Sequence, residues 1–148
     1  ASPGEKAASM SDPLSIMRGI YDAFTRGDIA TVVASLDEHI EWNEAEHVTF
    51  WSGSAFRGAD EVVQGLFARI QPTFGRTWKI HVDRLFGCGA TVIMQGRYSG
   101  TVQATGRYLS PQVAHIWDLE GDRIVRFQQY TDTWLFAEAT GVTPITVT

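Results

Sequence analysis

Tyr21-Asp22-Ala23-Phe24-Thr25-Arg26-Gly27-Asp28 joins the end of one helix to the start of another. Glycine is suited to the left-handed residue that closes a helix, and an aspartate after it can accept hydrogen bonds from the free N–H groups of the next. Read backwards, Tyr21 and Phe24 continue a helical stripe with Met17 and Ile20, and Asp12-Pro13 supplies the start signal. Read forwards, Ile29, Val32, Val33 and Leu36 form the apolar face of a shorter helix. The chain therefore opens with a helix pair.

Glu38 to Glu44 follows as a short strand. Alternation puts Ile40, Trp42 and Glu44 on one face, and Glu41 and Asn43 on the other. A carboxylate that shares an apolar face loses hydration. Its pKa rises, and it becomes either a strong base or a neutral acid. Glu44 is thus the leading candidate for a general base. An aromatic loop or broken strand with His47, Phe50, Trp51 and Phe56 leads to a third helix between Gly58 and Pro72, whose stripe is Val62, Val63, Leu66, Phe67 and Ile70. Asp60 and Glu61 fall in its first turn, where the helix dipole favours them, and Pro72 is expected to end it.

From Thr77 the period changes to two. Strands are expected near Trp78 to Phe86, from Thr91 to about Thr105, from Gln112 to Leu119 and from Arg123 to Asp132, with turns at Gly87-Cys88-Gly89 and Glu120-Gly121-Asp122. Gly96 and Gly100 interrupt the second of these, as a bulged or bent sheet requires. Helices first and a strand meander after imply an α+β domain, with helices over one face of a curved, mostly antiparallel sheet. Such a cone encloses a pocket.

The 148 residues, 44% hydrophobic, suit a single domain with a real core. Met10 reads as a natural start, so residues 1–9 are expected to be a disordered or appended tail and 10–148 the domain. A net charge of -5 with scattered Lys and Arg offers nucleic acid no basic footprint. No stretch is long and apolar enough for a membrane-crossing helix, and no secretory signal is visible. Cys88 is the only cysteine, which points to a reducing, cytoplasmic setting. His39, His47, His81 and His115 are too dispersed to form a recognised metal-ligand spacing, so neither a metal nor a cofactor is expected.

The chain resembles the SnoaL-like group of the NTF2-like superfamily, relatives of ketosteroid isomerase and limonene epoxide hydrolase. The resemblance rests on the Tyr21 to Asp28 stretch, Glu41-Trp42, Phe56-Arg57-Gly58, Thr105-Gly106, His115-Ile116-Trp117, Gly121-Asp122-Arg123-Ile124-Val125 and Tyr130-Thr131-Asp132-Thr133. It implies an NTF2-like cone, with about three helices from the N-terminal half over the sheet. By unbroken spacing from Gly27-Asp28, Glu44 matches the general base of ketosteroid isomerase. The matching oxyanion-hole positions hold Ile20, with Tyr21 one place along, and Ala114. The epoxide hydrolase constellation maps onto Ala114, Gln112 and Gln129. The acid-base aspartate of SnoaL-like cyclases maps onto Asp132, if not onto Gln129.

With Val125, Phe127 and Gln129 facing inward, Arg126, Gln128, Tyr130 and Asp132 face outward unless a bulge intervenes. The site expected is therefore Glu44, with His47, Gln129 and Asp132 as further acid-base candidates. Trp42, Trp51, Phe67, Gln112, Ala114 and Phe127 are expected to line the pocket. His115 and Trp117 are read onto the outer sheet face, where with Arg126, Gln128 and Tyr130 they would pair two copies into a homodimer. The function expected is a small-molecule pocket protein: a cofactor-independent isomerase, cyclase or hydrolase acting on a hydrophobic ligand, a non-catalytic binding module, or a dimeric interaction protein.

Overall fold

Asp12 starts the first helix by accepting a hydrogen bond from Ser15 N, and Pro13 occupies the first turn. The computed structural model describes residues 12–142; the tail at 1–9 and the domain limits at Met10 and Thr148 lie outside the described residues. Helix α1 (Pro13–Arg26) ends at Gly27, whose φ of 71° is the left-handed conformation that a glycine adopts without a Cβ clash. Asp28 then caps α2 (Ile29–Ser35) through Thr31 N.

Strand β1 (Leu36–Asn43) follows directly, and the two-residue β2 (Phe56–Arg57) pairs with it across the aromatic loop. Helix α3 (Ala59–Val62) continues through a π-helical segment, Val63–Phe67, into α4 (Ala68–Phe74). Pro72 does not end this helix: it sits inside α4, which runs two residues further. Then come β3 (Lys79–Cys88), β4 (Thr91–Thr101), β5 (Tyr108–Leu109), β6 (Gln112–Glu120), β7 (Arg123–Thr131) and a closing helix α5 (Thr133–Thr140). The sequence pattern predicts helices in the N-terminal half alone; with α5 they come from both halves of the chain.

The sheet order is β2-β1-β7-β6-β4-β3, with β5 folded back onto the end of β4. All pairings are antiparallel except β1 with β7. This is the curved, unclosed sheet of an α+β fold. Curvature has a local cause. The register of β3 slips between Val82 and Arg84, opposite Gly96, and a Cβ on Gly96 would run into the His81 carbonyl. The bulge thus lies on β3, and the glycine is what lets the strands approach there. Gly100 instead lies under the rings of Phe74 and Trp78.

Ile40, Trp42, Met94, Trp117, Ile124 and Phe127 are buried on one side of the sheet against Met17, Val32, Val62 and Phe74 from the helices. Among the described residues, no helix is long and apolar enough to cross a membrane.

Candidate functional site

A cavity of about 610 Å³ lies between the concave sheet face and the helices. Its walls are aromatic: Trp42 lies 4.0 Å from Phe127 between ring centroids and 5.6 Å from Phe67, while Trp117 lies 4.5 Å from Phe127. Phe24, Leu66, Phe67 and Ile70 close the cavity from the helical side. This surface suits a flat, apolar molecule.

Glu44 belongs to this wall. It directly follows β1, so alternation turns its side chain inward beside Ile40 and Trp42, and it is 6% exposed. Among the described residues, its side chain's one hydrogen bond comes from Trp42 Nε1, at 3.0 Å to Oε2. Burial penalises the charge and pushes its pKa up to about 7, against a smaller lowering by the Trp42 N–H. Lys79 and His81, both on the exposed strand β3, are the only basic side chains among the lining residues besides His115, so no permanent cation stands at the buried end.

A chain of buried polar groups crosses that end. Trp117 Nε1 donates to Tyr21 Oη at 2.8 Å; Tyr21 Oη lies 2.6 Å from His115 Nδ1; His115 Nε2 lies 2.6 Å from Tyr98 Oη. Gln129 Nε2 donates to Tyr98 Oη at 2.7 Å, and Gln129 Oε1 accepts from Ala45 N at 3.1 Å. Gln129 therefore links Tyr98 to the residue after Glu44. Burial pushes the His115 pKa down to about 3, so its imidazole is neutral. Burial raises both phenols, and the Glu44 charge raises Tyr98 further. Among the described residues, no group of three or more His, Cys, Asp or Glu side chains is arranged to hold a metal ion.

The structure gathers Glu44, Trp42, Phe67, Phe127 and Gln129 around one cavity and leaves the other expected site residues elsewhere. His47 is exposed, with φ 69°, and its ring packs 4.7 Å from that of Trp51; neither residue lines the cavity. Gln112 and Ala114 sit on the opposite face of β6 and do not reach it. The reason is the facing of that strand. Val113, His115, Trp117 and Leu119 point inward, so His115 and Trp117 are pocket residues and are unavailable to the outer surface.

On β7, Phe127 and Gln129 point inward, but the register shift opposite Asp118 and Leu119 puts Ile124 inside in place of Val125. Asp132 caps α5 by accepting from Leu135 N at 3.3 Å. Asp132→Ala is expected to cost roughly 1 kcal/mol in urea unfolding without changing ligand affinity; an unchanged stability with lost binding would return it to the site.

Tyr98 and Tyr21 complete the polar chain, and the sequence reading gave neither a role in the site. Tyr98 shared a visible signal with Val92, Met94 and Gly96, since period two puts all four on one face of β4.

The SnoaL-like domain model matches residues 17–127. The chain belongs to the SnoaL-like family. Among solved structures, this SnoaL-like chain is similar to an NTF2-like protein from Burkholderia thailandensis E264, at 36% identity and TM-score 0.81, over 89% of this chain and 98% of that one. Its fold is shared by TerC co-crystallized with polyporic acid, at 17% identity and TM-score 0.75, covering 88% and 99% of the two chains. A Catenulispora acidiphila protein of ketosteroid isomerase-like fold, in complex with trimethylamine, shares it at 15% identity and TM-score 0.71, covering 86% and 93%. A comparison with curated proteins gives no match.

Proposed function

We propose that this protein is a cofactor-independent acid-base enzyme in which Glu44 moves a proton on a hydrophobic, carbonyl-bearing small molecule. One observation carries this reading: a carboxylate that is 6% exposed and held in an aromatic cavity of about 610 Å³, a burial that pushes its pKa up to about 7. A group that titrates near neutrality accepts and returns protons with little driving force wasted either way. The carboxylate takes a proton from a carbon next to a carbonyl, the bonding pair moves toward the carbonyl oxygen as an enolate forms, and the acid so formed returns the proton to that carbon or, where a conjugated double bond makes a dienolate, to its far carbon. Two proteins of this fold were crystallised with small organic molecules, polyporic acid in one and trimethylamine in the other, which supports a small-molecule occupant here.

The site differs from the sequence reading in its polar helpers. Gln129 spends its amide on Ala45 N and Tyr98 Oη, so it positions neighbours. For pairing with a second copy we propose the outer sheet face, reduced to Arg126, Gln128 and Tyr130; Arg126 already binds Glu41 of its own chain at 2.8 Å, and Tyr130 is 58% exposed. The lone, exposed Cys88 fits a reducing cytoplasm.

Carbon NMR of the labelled Glu44 carboxylate, assigned with Glu44→Gln, tests the reading without a ligand. The midpoint is expected near 7. A midpoint at or below the model-peptide figure of about 4.3 would mean a solvated carboxylate and would leave the pocket a binding module.

A further inference from the structure

The protons in the chain Trp117, Tyr21, His115, Tyr98, Gln129 can be counted. Trp117 Nε1 and the Gln129 amide nitrogen are donors only, so the first gives a proton to Tyr21 Oη and the second gives one to Tyr98 Oη. Between the two phenols lie two bonds of 2.6 Å, one to each nitrogen of His115. Among the described residues, no carboxylate lies within hydrogen-bond reach of His115: each ring nitrogen has a phenol hydroxyl as its partner, and burial keeps the ring neutral. A neutral imidazole brings one N–H and each phenol brings one O–H. Three protons thus serve two bonds, and one phenol must donate elsewhere.

Tyr21 is the costly place for that spare proton. It is buried and does not line the cavity, and among the described residues its hydroxyl has only Trp117 and His115 as partners. A buried hydroxyl without an acceptor forfeits roughly 1–3 kcal/mol. Tyr98 lines the cavity, and Glu44 stands close enough for its charge to raise the phenol's pKa. With Tyr98 as the outlet, every donor inside the chain has an acceptor: Tyr21 O–H donates to Nδ1, Nε2–H donates to Tyr98 Oη, and the one spare donor, Tyr98 O–H, turns into the cavity, where an occupant can accept it. The Tyr98 oxygen then accepts two hydrogen bonds, which polarises its own O–H and makes it a stronger donor.

We infer that Tyr21 locks His115 in its Nε2–H tautomer, and that this lock makes Tyr98 the hydroxyl donor of the buried end, so that the site takes ligands presenting a carbonyl or enolate oxygen to Tyr98 beside Glu44. The inference deepens the acid-base reading and rests on it for the chemistry at Glu44. Tyr21 and His115 are positioning residues, and Tyr98 is the group that meets the ligand.

Nitrogen NMR of the histidine-labelled full chain, without ligand and with His115→Gln for assignment, reads the tautomer directly. A protonated Nε2 with a bare Nδ1 is expected at neutral pH. A protonated Nδ1, or protons on both nitrogens, overturns the inference. The donor is read by infrared spectroscopy with acetophenone as the probe. Its carbonyl stretch is expected to move to lower frequency in the wild-type protein and to return to the free value in Tyr98→Phe. A carbonyl that stays unshifted in the wild type, or a shift that survives in Tyr98→Phe, overturns the donor assignment. Glu44→Gln leaves the expected tautomer in place, so an ordinary Glu44 titration and a wrong tautomer would appear in different spectra and sink different claims.

Discussion

Glu44→Gln is expected to slow deuterium uptake at the carbon beside a bound carbonyl by roughly a hundredfold to ten-thousandfold, the usual share of a positioned acid or base. Ligand affinity should stay within about threefold, because the amide oxygen can still accept the Trp42 Nε1 bond and the aromatic walls are untouched. Acetophenone in heavy water is a sufficient probe, and equal uptake in variant and parent would remove Glu44 from the chemistry. The same variant should change how stability depends on pH. Between pH 4.5 and about 7 the unfolded chain has released this proton while the folded chain keeps it, so Glu44 costs stability as pH rises, by about 3 kcal/mol across the window.

His115 works in the opposite sense. Its ordinary value of 6.5 falls to about 3 on folding, so its contribution is complete above 6.5 and is lost as pH falls toward 3. In the parent the two slopes oppose each other between 4.5 and 6.5; in Glu44→Gln stability should rise with pH throughout that range and exceed the parent's above pH 7. Urea unfolding at several pH values reads both slopes.

Trp117→Ala is expected to cost about 3–5 kcal/mol, a large part of the roughly 5–15 kcal/mol that holds a domain folded. The side chain is fully buried, with Trp42 at 5.5 Å and Phe127 at 4.5 Å between centroids, so its removal opens a hole in the wall that carries Glu44's neighbour. It also removes the donor to Tyr21. Trp117→Phe separates the two effects: it keeps most of the volume and loses the N–H, at a cost of about 1 kcal/mol. A loss below about 1 kcal/mol for the alanine variant would contradict the packing described here.

Local chemistry made much of the fold legible. Asp12-Pro13, Gly27 and Asp28 each act within a turn of their own position, so a few residues suffice to place α1 and α2. Ile40, Trp42 and Glu44 were legible for the same reason, since the period of a strand is local. Facing within the sheet is a tertiary property, and there the reading failed on β6. Position matching by resemblance put Ala114 inside, whereas the strand's own alternation of Val113, His115, Trp117 and Leu119 against Gln112, Asp118 and Glu120 already favoured the other face. His115 was the distractor: a polar residue on a core face reads as an outward one until its partners, 94 and 17 residues away in Tyr21 and Tyr98, are known. Helix α5 is hard to read from sequence because its start signal, Asp132, directly follows β7 and looks equally like a strand end or an acid-base residue.

The parallel pairing of β1 with β7 also has a kinetic consequence. Asn43 Nδ2 donates to the Phe127 carbonyl, and Ala45 N to Gln129, each across 84 residues of chain, so one edge of the segment bearing Glu44 is fastened by the last strand, while the two-residue β2 holds the other. Closing so long a loop comes at an entropic cost before any contact offsets it, which slows folding and leaves β1 with only the short β2 beside it until β7 is made. Phe127 and Gln129 enter the cavity from that same strand. The pocket should thus be among the last parts of the molecule to form, and a chain cut before β7 should lack the site as well as the strand.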